Sequence, residues 1–173
     1  MGQILLAGLN TQKAIKMYKK YVLVSKDTRT IETQTLYRIK ALRAFGNVKE
    51  GELGGYISSE SNLSHEGLCW VYDNARVCGN AQVYDDAQVS GDAWVSGNAH
   101  IENNQTIMWF SKVGSENGTL TAFQGQHKNI LVTRGCFFGT LEYFEKAVKE
   151  KHGSSKYGKE YTLLIEVIKL RFS

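Results

Sequence analysis

Six aliphatic residues, Val71, Val77, Val83, Val89, Val95 and Ile101, follow one another at intervals of six without a miss. Alanine keeps the same frame four positions later, at Ala75, Ala81, Ala87, Ala93 and Ala99. Between the two stand Asp73, Gly79, Asp85, Gly91 and Gly97, each followed by Asn or Asp. A short fixed period decides architecture before any single residue does. It fits neither an α-helix at about 3.6 residues per turn nor a hairpin meander. It suits short straight sides that turn aliphatic and small residues inward, joined by corners where Gly, Asn and Asp tolerate left-handed or turn conformations.

Three hexads to a coil give two full coils, 71–88 and 89–106, and the frame projects backward onto a degraded coil at 53–70. There Leu53 takes the aliphatic slot, Ile57, Leu63 and Cys69 take the alanine slot, and Gly55 and Gly67 fall at corners. The pattern resembles the hexapeptide repeat of left-handed parallel β-helices. The expected fold is mainly β: a short left-handed parallel β-helix of about three coils, an N-terminal β-hairpin, and a C-terminal α+β module of three strands and two helices. Residues one coil apart should stack at about 4.8 Å, with Trp94 over Arg76, Gln88 and Thr106 over Trp70, and His100 over Gln82, all in the outward slot. Outward indoles are either covered by flanking segments or form a partner or self-association surface.

The flanks change period, which divides the chain into 1–52, an N-terminal extension and β-hairpin, 53–106, the repeat, and 107–173, the α+β module. Residues 18–25 and 35–42 read as two strands separated by a polar turn, with one face buried; residues 1–16 show no pattern and read as a loose extension or short helix. Segments 106–113, 119–123 and 129–134 read as three further strands. A helix follows, with Thr140 as N-cap, Glu142 and Glu145 early, Lys149, Lys151 and His152 late and Gly153 past its end. A second helix is expected from 155 or 156 to about Phe172, with a strand over 163–170 as its rival. The chain has 17 Gly and no Pro, so glycine does the turning, and the ladders of a continuous β structure meet no interruption.

Charge is just as unevenly distributed. Residues 1–52 hold ten Lys/Arg against four Asp/Glu, residues 107–173 ten against six, and residues 53–106 only Arg76 against seven acids. The middle third therefore cannot be a positive nucleic-acid stripe. No apolar run is long enough for a transmembrane helix, and the start of the chain lacks a secretory or myristoylation signal, so an intracellular, unanchored chain is expected. Cys69, Cys78 and Cys136 have no paired spacing and suggest neither a disulfide framework nor a zinc site.

The run Leu36 to Leu42, Gly51-Glu52-Leu53-Gly54-Gly55-Tyr56-Ile57, Asn62 to Gly67, Cys69-Trp70-Val71-Tyr72 and the Gly-Asn-Ala hexads resemble hexapeptide-repeat proteins of bacteriophages and prophages. The tail, from Trp109-Phe110-Ser111-Lys112-Val113-Gly114 through Gly135 to Thr140 and on to Lys159-Glu160-Tyr161, is similar to a module carried by such proteins. The resemblance covers roughly residues 18–172. It implies a viral accessory protein in the cytoplasm of an infected bacterium, and supplies no reaction and no catalytic residues.

Three functions compete. The favoured one is a non-enzymatic protein-binding module, possessing no cofactor and homo-oligomeric if the solenoid face self-associates. Its concrete form is an inhibitor of a bacterial defence system, such as an anti-CRISPR protein that occupies a nuclease. Trp70, Trp94 and Arg76 would contact the partner, and Asp73, Asp85, Asp86, Asp92 and Glu102 would mimic nucleic acid toward a basic groove; the same acids also serve as corner formers and a solubility face. The second is a hexapeptide-repeat acyltransferase, for which a positioned base is needed. Of His65, His100, His127 and His152, His100 is the best placed, yet no inserted loop builds a pocket around it, and His65 reads as a structural cap in an inward slot. Cys136, beside a helix N-terminus, is the thiol most open to activation, although a packing role is the commoner one. The third is nucleic-acid or nucleotide binding by the basic end modules, through Lys146, Lys149, Lys151, Lys156 and Lys159 and the strand residues Arg38, Lys40 and Arg43; lysine-rich helix faces are usually just solvated.

Overall fold

A computed structural model describes residues 19–31, 33–125 and 127–173; the expected extension at 1–16 lies outside them. The first two elements make a long hairpin, β1 (Tyr21–Ile31) against β2 (Gln34–Ala41). Its register slips between Val24 and Thr28, and this bulge carries Asp27. Strand β3 (Leu53–Ile57) then adds antiparallel to β2. Gly54 and Gly55 permit that approach, because a Cβ at either would fall within 2.7 Å of Val71, Ile39, Trp70 or Ala75 atoms.

The expected three-coil left-handed β-helix does not form: the largest sheet is mixed, the next is antiparallel, and parallel pairing is confined to stretches of at most two residues. The hexads supply six strands of two residues each: β4 (Trp70–Val71), β5 (Arg76–Val77), β6 (Gln82–Val83), β7 (Gln88–Val89), β8 (Trp94–Val95) and β9 (His100–Ile101). One five-stranded mixed sheet runs β1-β2-β3-β5-β8, while β4-β7 and β6-β9 form two-stranded parallel sheets. The physical reason is the hairpin. Its strands, far longer than two residues, capture residues 53–57 into antiparallel pairing, so the segment assigned to a first coil continues the hairpin sheet instead.

The pairing register nonetheless carries the spacing of the sequence. Arg76 pairs with Trp94, Trp70 with Gln88 and Gln82 with His100; a further level at Thr106 does not form, and its carbonyl accepts from Gln124 N–H at 2.9 Å. Below, Tyr56 pairs with Arg76, Ile57 with Val77 and Leu63 with Val83, a frame shifted by two residues from the projected one. The two extra residues sit in the loop between Leu63 and Trp70. The aliphatic and alanine positions of the hexads are at most 1% exposed, each valine contributing about 1.5–3 kcal/mol by burial. Corner residues Gly67, Asp73, Gly79, Asp85, Gly91 and Gly97 all have φ between 52° and 68°. Asp73 stabilises its own strained corner by accepting from Gly91 N–H at 2.9 Å.

A four-stranded antiparallel sheet follows: β10 (Ile107–Val113), β11 (Gly118–Gln124), β12 (Ile130–Arg134) and β13 (Phe137–Thr140). The fourth strand occupies residues read only as the lead into a helix. Helix α1 (Leu141–His152) starts at Thr140, whose Oγ1 accepts from Tyr143 N–H, and helix α2 (Lys156–Arg171) starts at Ser155, whose Oγ accepts from Gly158 N–H; the rival strand over 163–170 is thereby overturned. Leu141, Phe144, Val148, Tyr161, Ile165 and Ile168 build a second core against Leu120, Ala122 and Val132. No helix among the described residues is long and apolar enough to cross a membrane.

Candidate functional site

Outward slots on one face of the five-stranded sheet hold Tyr56, Arg76 and Trp94, one above another through the β3–β5–β8 pairing. The Arg76 guanidinium lies 5.3 Å from the Trp94 ring centre, a cation–π stack. Trp94 Nε1 donates to Cys78 Sγ at 3.3 Å, which pins the indole. Arg29 and Arg38 flank Tyr56 at 4.4 and 4.9 Å. The Tyr56 hydroxyl donates to the Asp27 carboxylate at 3.0 Å, and Arg29 Nη2 donates to Asn74 Oδ1 at 2.9 Å.

The C-terminal sheet rises beside this face and encloses a cleft of about 590 Å³, whose walls include Arg29, Arg76, Asp92, Trp94 and Arg134. Three arginines from distant parts of the chain thus line one cleft together with Asp92 and Glu116. Arg134 is held by its Nη2 donating to Val113 O at 2.8 Å and by Glu116 at 3.7 Å. Arg76 has no carboxylate within 4.0 Å among the described residues. Its Nε and that of Arg134 are buried without a hydrogen-bond partner. Burial first, then the charge of Arg29, pull the Arg76 guanidinium below its usual pKa, with Asp92 opposing. A half-buried cation facing a like charge is a position that an anion would relieve.

A second pocket of about 370 Å³ adjoins the cleft and shares Glu116, Arg134 and Gly135 with it. Its other walls include Phe137, Phe144, Val148, His152 and Tyr161. Phe144 packs edge-on against Phe137 at 5.1 Å and Tyr161 at 5.6 Å.

Of the residues the sequence singles out, the cleft collects Trp94, Arg76 and Asp92. Trp70 is corrected: it is fully buried, edge-on to Phe45 at 5.3 Å and Tyr21 at 6.0 Å, and offers no partner surface. Asp73 and Asp85 hold corners, and Asp86 and Glu102 are exposed outside the cleft. Lys146, Lys149, Lys151, Lys156 and Lys159 are all exposed on the helices, with Lys151 at the rim of the second pocket. His65 leaves its expected inward slot for the inserted loop. His100 is half-buried at the edge of Tyr84. Among the described residues no three His, Cys, Asp or Glu cluster as a metal site. Exposed apolar residues gather at Leu163, Val167 and Leu170 on α2 rather than at the indoles.

Arg29 and Arg134 were missed. The first lies in a stretch read as a polar turn and the second ends a strand; no local pattern announces that the fold brings both to Arg76. The chain matches no protein-family model and no curated protein.

Proposed function

We propose that this protein is a non-enzymatic binder that holds an anionic group in the arginine cleft. The observation that carries the reading is Arg76: a half-buried guanidinium stacked on Trp94, opposed by Arg29, with no carboxylate partner within ion-pair distance among the described residues. Arginine presents fixed, planar donors suited to phosphate and carboxylate oxygens. The composition of the repeat counts against a basic stripe along it, yet its single basic residue sits where both flanks contribute another. In the phage setting that the resemblance implies, the protein would act in the bacterial cytoplasm by occupying a component of host defence that bears such a group.

Calorimetric titration with inorganic pyrophosphate tests this. Saturable binding is expected, weakening as salt rises, abolished in Arg76→Gln and retained when Lys156 and Lys159 are both changed to Gln. Absent binding, or binding that depends on the lysines and ignores Arg76, overturns it.

A further inference from the structure

Resting on that reading of the cleft, we infer that the ligand is a nucleoside phosphate, with its phosphate between Arg29, Arg76 and Arg134 and its base in the adjoining aromatic pocket. Three observations lead there.

The anion end favours phosphate over carboxylate. One guanidinium saturates a carboxylate in bidentate fashion, whereas three guanidiniums arriving from β1, β5 and β12 suit a group with several oxygens pointing in different directions. The second observation is what lies next door. Across Arg134 and Gly135 the polar cleft gives way to a pocket walled by Phe137, Phe144, Val148 and Tyr161. Phe137 and His152 are half-buried, so part of each ring is accessible. A ligand anchored at the arginines and long enough to cross Arg134 therefore meets aromatic surface with a polar rim of His152 and Lys151, which matches the apolar faces and polar edges of a nucleobase. The third is size: each pocket falls within about 300–1,000 Å³, the range of small-molecule sites, and the smaller suits one base and its sugar.

Arg134 is the hinge of the arrangement. It belongs to both pockets, and its guanidinium is fixed from behind by Val113 O and by the Tyr161 ring at 6.0 Å. A group held there can reach a phosphate on one side and the edge of a base or ribose on the other.

The test compares AMP, GMP, CMP and UMP with ribose 5-phosphate and inorganic pyrophosphate, by calorimetry, on the wild type, Arg76→Gln and Ala147→Leu. Ala147 is a half-buried α1 residue lining only the aromatic pocket, and leucine there narrows the pocket while suiting a helix. At least one nucleotide should bind about ten- to a hundredfold more tightly than ribose 5-phosphate, the range expected of base stacking. Ala147→Leu should erase that advantage and leave pyrophosphate affinity unchanged, whereas Arg76→Gln should remove both. If pyrophosphate binds and no nucleotide surpasses ribose 5-phosphate, or if the advantage survives Ala147→Leu in a variant that melts like the wild type, the nucleotide inference is overturned and the anion cleft stands. If no phosphate binds, both fall.

Discussion

His65 stacks on Tyr21 at 4.3 Å, and its Nδ1 accepts from Lys20 N–H at 3.1 Å. The imidazole therefore carries its proton on Nε2, and a second proton would have to displace the Lys20 hydrogen bond. Burial is the main cause that holds its pKa below the usual value; Lys19 and Lys20 act in the same direction and Glu60 against it. The native state thus resists a proton that the unfolded chain accepts near pH 6.5, so stability is complete above that pH and declines as pH falls below it. Glu60 answers in a separate window: its hydrogen bond from Lys19 keeps its carboxyl below the usual range, and the stability this gives is present above about pH 4.5 and lost as pH falls further. Urea midpoints measured from pH 8 to 5 should drop below pH 6.5 in the wild type and flatten in His65→Gln; parallel curves would show that His65 is not the group responsible. None of this was legible in the hexad frame. Ser64 to Cys69 contains no residue that marks an insertion, and the two-residue shift comes only from which valines Ile57 and Leu63 meet.

Strand β8 is the outer edge of the five-stranded sheet, and a free edge exposes unpaired N–H and C=O groups. Two threonines close it. Trp94 N–H donates to Thr121 Oγ1 at 3.1 Å, and Thr133 Oγ1 donates to Trp94 O at 2.6 Å; Thr121 and Thr133 are themselves register partners on β11 and β12. A neighbouring bridge joins Ala99 to Gly125, and Gly97 lies so close to the Phe138 ring that a Cβ would meet it at 2.4 Å. Changing both threonines to valine keeps their shape but leaves two half-buried backbone groups unmatched, at a cost of about 2 kcal/mol. Urea denaturation should show that loss, and the Ser–Ser variant should recover most of it; equal losses in both would point to packing rather than hydrogen bonding. Elements with local signals, namely the corners, three of the four strands of the last third and the two capped helices, are legible from sequence. The docking is not, because a threonine that caps a distant edge looks like any other strand threonine.

At the scale of the whole molecule, two cores meet along that edge, one beneath the hexads and hairpin and one beneath the helices, and the cleft draws its walls from both. Dividing the charge along the sequence separates basic ends from an acidic middle; folding places Arg29, Arg76 and Arg134 together, which no division by segment can reveal. Because Arg29 and Arg76 stand on the five-stranded sheet and Arg134 on the C-terminal one, a ligand that binds all three ties the two cores to each other. It should stabilise the native state by about 2.7 kcal/mol at a hundred times its dissociation constant, and the stabilisation should reach both sides of the cleft. Hydrogen exchange with saturating pyrophosphate should then slow the amides of β5 and β8 together with those of β12, and Arg76→Gln should abolish the effect on both sheets at once. Protection confined to α1 and α2 would place the anion on the lysine face of the helices. In the Thr121→Val, Thr133→Val protein the edge contact is loosened while all three arginines remain, so affinity should fall and the two sheets should lose their shared protection. Unchanged affinity in that protein would mean that one sheet alone forms the site.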